Sequence, residues 1–255
     1  MKPPLILPDW PAPPAVRGCV TTRLGGVSAA PFDSFNLAVH VGDDPRAVAA
    51  NRARLGAHLP AEPLWLDQVH GVEVMDADSQ RCGTGDASVA RIPGRVCAVL
   101  TADCLPVLFC NRSGTVVAAA HAGWRGLASG ILERTIWRMG CAPEDILAWL
   151  GPAIGPDAFE VGPEVRAAFP EQARDAAAAF RPGDGDRLLA DIYLLARLEL
   201  ARIGVHAVYG GGLCTVTQSG LFYSYRRDGR CGRMASLIWI APADRETAAE
   251  PSYQG

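Results

Sequence analysis

Two spacings of apolar residues divide the chain. Short apolar runs at residues 16–21, 64–69, 96–100, 107–109, 116–120, 146–150, 205–209 and 236–240 have the length of strands. Longer stretches carry apolar residues every three or four positions and read as helices. The first covers 45–59, where Asp43-Asp44 and Pro45 form an N-terminal signature. The second, 126–139, places Leu127, Ile131, Thr135 and Arg138 at helical spacing and stops before Gly140. Residues 163–169 form a third. In a fourth, 191–203, Leu194, Leu195, Leu198 and Ala201 make the apolar stripe, and Gly204 is placed to cap the C-terminus. The elements are interspersed without strict alternation. That predicts an α+β fold with mixed sheets rather than a doubly wound one. The proline-rich residues 1–15 are expected as an extended arm, 16–242 as a single domain, and the polar 243–255 as a frayed tail.

Composition changes this picture little. Hydrophobic residues make up 49% of 255 and charged residues 20%, enough to bury a full core. A net charge of −3 leaves no basic footprint for nucleic acid. No apolar run reaches the roughly 20 residues that span a bilayer. The opening Met1-Lys2-Pro3-Pro4 is too proline-rich for a signal peptide, so a cytoplasmic protein is expected. Eight cysteines do not imply disulfides in such a reducing compartment. Cys19, Cys97, Cys110 and Cys141 read as small buried hydrophobes, and no Cys-x-x-Cys pair is present. No heptad or apolar edge calls for an obligate protein partner. Lys2 is the only lysine. Codon bias accounts for most of the arginines, though not for those inside motifs.

Candidate chemistry lies in three separated segments: Gln68-Val69-His70-Gly71, Thr101-Ala102-Asp103-Cys104-Leu105-Pro106 and His121-Ala122-Gly123-Trp124-Arg125-Gly126. Each holds one soft or borderline metal ligand. Two imidazoles and a thiolate would leave a tetrahedral zinc one open position, the arrangement of a catalytic centre. Such ligands also bind copper well. Their spacing matches no zinc-finger pattern. Cys104 has two other readings, as a core residue or as a nucleophile with His121 as base. Asp103 could take a proton or cap the following turn. Strand alternation from Leu64 puts His70 on one face with Leu66 and Gln68, and Gln68 could then hold the other ring nitrogen of His70. Arg125, at a glycine-rich strand-to-helix turn, suits a phosphate clamp or an ion pair with Glu133 or Asp103. Ser224-Tyr225-Arg226-Arg227 reads equally as a base-stacking wall or a packed hairpin. His40 is a weaker site candidate, and 181–186 reads as a solvent loop.

These segments occur together with Thr21-Thr22-Arg23-Leu24-Gly25-Gly26-Val27-Ser28, Ser34-Phe35-Asn36-Leu37, His40-Val41-Gly42-Asp43-Asp44, Asn51-Arg52, Gly151-Pro152-Ala153-Ile154-Gly155 and Cys214-Thr215. As a set they resemble the YfiH-type family, which carries both laccase-domain and purine nucleoside phosphorylase names. The resemblance runs from about residue 19 to about residue 240, with the motifs in the family's order. It implies a layered α-β-β-α arrangement with the site at one edge of the sheets. It also implies phosphorolysis of adenosine, inosine, guanosine and methylthioadenosine, with adenosine deamination as a further activity. On this resemblance zinc is held by His70, Cys104 and His121. Arg23 joins Arg125 at the phosphate, and Ser28 offers a hydroxyl to the substrate. On its own spelling Arg23 is a solvated residue of a Gly-Gly turn. The resemblance also permits a hydrolase that edits peptidoglycan precursors. Copper-dependent polyphenol oxidation is disfavoured, because the chain has five histidines and no His-x-His pair.

Overall fold

Two sheets lie face to face, and helices cover their outer sides. The computed structural model describes residues 4–79, 82–169 and 176–242; the predicted tail at 243–255 lies outside them. In chain order the strands are β1 (Leu5–Ile6), β2 (Val16–Thr21), β3 (Trp65–Asp67), β4 (Val74–Asp76), β5 (Cys82–Thr84), β6 (Ala87–Ala90), β7 (Val96–Thr101), β8 (Leu105–Asn111), β9 (Val117–Ala122), β10 (Ile146–Leu150), β11 (Glu160–Val161), β12 (Phe180–Pro182), β13 (Leu188–Ala190), β14 (Ala207–Gly210) and β15 (Met234–Ile240). The helices are α1 (Pro45–Gly56), α2 (Trp124–Ala128), α3 (Ile131–Met139), α4 (Pro163–Ala167), α5 (Ile192–Ile203) and α6 (Tyr225–Asp228).

Beside two small sheets, β11-β13-β12 and β3-β5, one large sheet has the order β1-β2-β15-β7 and the second β14-β10-β8-β9-β6-β4. The second is mixed: β4 runs parallel to β6 and β10 to β14, while the pairs between are antiparallel. Alternation along the strands produces three apolar layers. Cys97 and Val99 of β7 meet Leu108 and Cys110 of β8 and Val117 and Ala119 of β9 between the sheets. Leu105, Val107 and Phe109 face the opposite way, with Ala118 and Ala120, onto Ile131 and Leu132 of α3 and Leu195 of α5. Ala98 and Leu100 turn outward with Phe35, Leu37 and Leu55 of α1. The result is the expected α-β-β-α layering. The alanines of β9 keep that strand thin enough for helices on one side and a sheet on the other.

Local departures from the sequence reading have physical causes. The helix expected over 126–139 is two helices. Gly130 adopts φ 92, which breaks the helix and starts α3 at a new angle. The α1 helix ends at Gly56, and residues 57–59 continue only in tighter turns, with His58 N–H bonded to Leu55 O. The run at 64–69 yields strand only over β3. Gln68 extends the pairing with its side chain instead, donating to Leu100 O and accepting from Leu100 N. Residues 181–186 are not all loop, because Arg181 and Pro182 belong to β12. Residues 4–15 include β1, which pairs antiparallel with β2.

Candidate functional site

The turn from β7 to β8 crosses from one sheet to the other. It is three residues long, Ala102-Asp103-Cys104, and it sets Cys104 where the chain passes between the two sheets. Asp103 holds the turn in shape. It adopts φ 87, uncommon for a residue with a side chain. Its Oδ1 accepts from Thr215 Oγ1 at 2.6 Å and its Oδ2 from Arg226 N at 2.7 Å. Both carboxylate oxygens are thus occupied, and Asp103 fastens the Cys104 turn to the start of α6. Its carboxylate thus bonds residues far along the chain rather than the turn that follows it.

His121 comes from the end of β9, which pairs with β6. Asp86 immediately precedes β6, is fully buried, and places Oδ1 2.8 Å from His121 Nδ1. The same carboxylate accepts the backbone N–H groups of Val69, His70 and Gly71 at 3.2, 2.9 and 2.7 Å. These bonds hold His70 at φ 60. The strand alternation expected to orient His70 therefore does not reach it. Nor does Gln68 support its ring, since Gln68 is committed to Leu100.

The ligand atoms of His70, Cys104 and His121 all lie within 4.8 Å of one another. Cys104 Sγ is 3.7 Å from His70 Nε2, and the two imidazole rings meet edge to face at 4.7 Å. Gly123 closes the cluster from below. A Cβ there would stand 2.9 Å from His70 Cδ2 and 3.1 Å from Cys104 Sγ.

The charges follow from this packing. Burial alone would push the Cys104 thiol up, as it pushes Cys97 and Cys110 to about 12. For Cys104 the charge and hydrogen bond of His121, and those of His70, more than offset burial and hold the thiol below its ordinary range. Burial likewise pulls the His121 imidazole down, but the Cys104 sulfur and the Asp86 carboxylate raise it above its usual value. The Asp86 carboxyl is lowered: burial opposes ionisation, and the His121 bond and the N–H groups of Gly71 and Val69 outweigh it. A thiolate is the form that either a metal ion or an electrophile requires. With Nδ1 of His121 turned to Asp86, Nε2 is left as the ligand atom, the arrangement usual for metal-bound histidine. The donor set and its spacing fit one zinc-sized ion with three protein ligands. Among the described residues it is the one such group of His, Cys, Asp or Glu.

A cavity of about 400 Å³ opens over the cluster. Leu100, Ile154, Phe159, Ile192, Trp124 and Tyr225 supply its apolar and aromatic lining. His40, Asp103, Arg125, Arg226 and Arg233 supply the polar one. Each cavity arginine lies against an aromatic ring: Arg125 at 4.4 Å over Trp124, Arg226 at 5.8 Å over Phe159, and Arg233 at 5.8 Å over Tyr225. None of the three is ion-paired among the described residues, where the arginine pairs involve Arg23, Arg181, Arg202 and Arg227. Glu133, offered as a partner for Arg125, pairs with Arg202.

Two expected substrate residues lie elsewhere. Arg23 turns to Asp33 and Ser219 O and stacks on Tyr223 at 5.0 Å, so it braces a loop outside the cavity lining. The Ser28 hydroxyl donates to Asp43 Oδ2 at 2.6 Å and accepts from Asn51, which buries it in a loop network. The segment 224–227 is a short helix capped by Ser224 rather than a hairpin. It divides its labour: Tyr225 and Arg226 face the cavity, while Arg227 ties down Thr215 O, Val216 O and Phe222 O. The sequence reading missed Asp86 and Arg233. A carboxylate entering the apolar run of β6, and an arginine entering that of β15, were the available signals.

A family model described as multi-copper polyphenol oxidoreductase laccase matches residues 17–241. A Pseudomonas aeruginosa protein named purine nucleoside phosphorylase is 59% identical over 236 residues, covering 92% of this chain and 98% of that one. The Escherichia coli purine nucleoside phosphorylase YfiH is 57% identical over 240 residues, with the same coverage of 92% and 98%. The crystal structure of Neisseria meningitidis protein NMB0706 superposes with a TM-score of 0.88 at 50% identity, covering 93% of this chain and 99% of that one.

Proposed function

This chain belongs to the multi-copper polyphenol oxidoreductase laccase family, and on that premise we propose that it is a cytoplasmic purine nucleoside phosphorylase. Its substrates are adenosine, inosine, guanosine and methylthioadenosine, with inorganic phosphate as the second reactant. The observation that carries the reading is a single cavity that joins a His-Cys-His cluster, an aromatic lining and arginines that have no carboxylate partner among the described residues. The names of relatives above 50% identity support it.

In phosphorolysis a phosphate oxygen bonds to C1′ of the ribose. The C1′–N9 bond breaks, and its electron pair leaves with the purine, which takes up a proton. Arg125 and Arg226 hold the phosphate, each with a fork of donors kept planar against a ring. Asp103 fixes Arg226 through its backbone N–H. Phe159 and Tyr225 offer faces for the purine. His70, Cys104 and His121 would hold zinc, which when bound supplies a Lewis acid beside the reacting atoms. Adenosine deamination is assigned to the same cavity, with water in place of phosphate.

A second reading has an observation of its own. Asp86 orients His121, and His121 raises the thiolate character of Cys104, which is the order of groups in a cysteine nucleophile. In that reading Cys104 attacks an amide of a peptidoglycan precursor and His121 passes a proton to the leaving amine.

Product analysis with adenosine, with and without phosphate, separates these readings. Phosphate-dependent adenine that disappears in His121→Ala is the expected result. Inosine formed without phosphate makes deamination primary. No purine product from any nucleoside overturns the proposal and leaves the hydrolase reading.

A further inference from the structure

Arg233 is a built position. Its backbone N–H donates to Oδ1 of the fully buried Asn36, and its Nη1 donates to Cys231 O at 2.9 Å and Gly232 O at 3.0 Å. Gly232 packs so closely that a Cβ would stand 2.6 Å from the Tyr223 ring and 2.9 Å from Asn36. The guanidinium is thus held rigidly at the cavity wall rather than waving in solvent. Asn36 also binds Ala38 through both backbone groups, which ties the Arg233 turn to the segment that carries His40. His40 lines the same cavity. Its imidazole is lowered by burial and by the charge of Arg233.

This pair approaches the cavity from the turn before β15 and the loop before α1, whereas Arg125 lies in the first turn of α2, near Gly123 and the metal-type cluster. Arg125 and Arg226 are the arginines assigned above to inorganic phosphate. Among the described residues Asp103 is the one carboxylate on the wall, and its oxygens are bonded to Thr215 and Arg226 N. Among those residues the charge of Arg233 is therefore left without a carboxylate, in a cavity of about 400 Å³, within the range that small ligands fill.

We propose that Arg233, with His40, forms a second anion subsite that receives a phosphate carried by the nucleoside itself, so that the cavity takes nucleoside 5′-monophosphates as well as the nucleosides. The proposal rests on the phosphorylase reading for its chemistry. With adenosine 5′-monophosphate, inorganic phosphate bonds to C1′ as the C1′–N9 bond breaks, and the products are adenine and ribose 1,5-bisphosphate. A rigid guanidinium suits the phosphate monoester because two N–H groups can meet two oxygens at once.

The test uses the purified full-length protein with adenosine, adenosine 5′-monophosphate and inorganic phosphate as separate probes. Calorimetry gives affinities, and base release gives the KM for phosphate. In the wild type the monophosphate is expected to bind about tenfold or more tightly than adenosine, the worth of one charge-assisted bidentate contact. Arg233→Gln removes that difference while the KM for inorganic phosphate moves less than about twofold. Arg233→Lys keeps part of it, because the charge stays but the fork is lost. His40→Gln, on a different segment, reduces the same ratio and keeps the test open if Arg233 variants misfold. Equal binding of the two ligands overturns the subsite, as does an Arg233→Gln effect confined to inorganic phosphate. Adenosine phosphorolysis without a preference for the monophosphate overturns the subsite and leaves the phosphorylase reading standing. Monophosphate bound through Arg233 with no base released overturns the phosphorylase reading and leaves the subsite.

Discussion

Asp86 Oδ1 lies 2.8 Å from His121 Nδ1, and the same carboxylate gathers the backbone N–H groups of residues 69–71. One buried side chain therefore sets the tautomer of one histidine and the backbone conformation of the other. Asp86→Asn cannot do both, because its amide carries two donors of its own. Loss of such a supporting carboxylate costs about 10–100-fold in metal affinity. That drop is expected in a chelator competition assay. Thermal unfolding should show a loss of about 1–3 kcal/mol, since donors at 69–71 are left buried and unmet. Unchanged zinc affinity in Asp86→Asn would remove Asp86 from this role.

Gly123 marks how tightly the cluster is packed. An added Cβ would press on His70 Cδ2 and Cys104 Sγ from within 3.1 Å. Both neighbours are fixed, His70 by Asp86 and Cys104 by the Asp103 turn. Gly123→Ala is therefore expected to spread the three ligand atoms, with zinc content and adenosine phosphorolysis falling together. Overpacking of this kind costs about 1–3 kcal/mol, so the protein should remain folded by circular dichroism. Full zinc occupancy with normal turnover would show that the cluster can shift to accommodate the methyl.

Arg125 and Arg23 make opposite predictions from similar sequence settings. Arg125 lines the cavity with no carboxylate partner among the described residues, whereas Arg23 is spent on Asp33, Ser219 O and the Tyr223 ring. Arg125→Gln should raise the KM for phosphate by about tenfold or more, since a charge-assisted contact is lost. Arg23→Gln should leave that KM alone and lower the melting temperature by a few degrees, through loop bonds worth about 0.5–1.5 kcal/mol each. Steady-state kinetics and thermal scans of both variants check the pair, and a phosphate defect in Arg23→Gln would contradict the placement.

Much of the architecture could be read from apolar spacing, because strands such as β7, β8, β9 and β15 are buried on both faces and their composition shows it. The strands that escaped notice are short or made of small residues. In β6, Ala87-Ser88-Val89-Ala90 has too little apolar bulk to stand out, yet it is fully buried because it lies under α3. His70, Cys104 and His121 were legible as ligand types, and the structure brings them together. What holds them was not. Asp86 acts across 35 positions on His121, and Asp103 across 112 on Thr215, and no local pattern encodes such pairs. The positions of Arg23 and Ser28 depended likewise on partners distant in sequence, Ser219 and Asn51. Arg233 entered the cavity because Asn36, 197 positions away, fixes its backbone.

Cys104 offers the sharpest separation between metal ligand and nucleophile. Its thiol is held below the ordinary range by His121 and His70, while Cys97 and Cys110 are pushed up to about 12 by burial. Half-buried at the cavity wall, Cys104 is also the more accessible of these three. In metal-free protein it should therefore be alkylated by iodoacetamide well ahead of the buried pair. If zinc occupies the cluster, loading the metal protects Cys104, and chelation restores the reaction. Cys104→Ser should then lower zinc content and phosphorolysis together. If Cys104 is a nucleophile instead, zinc gives no protection, Cys104→Ser keeps its metal content, and a covalent adduct with substrate appears by mass spectrometry in the wild type alone. Mapping the alkylated peptide with and without zinc decides between the two.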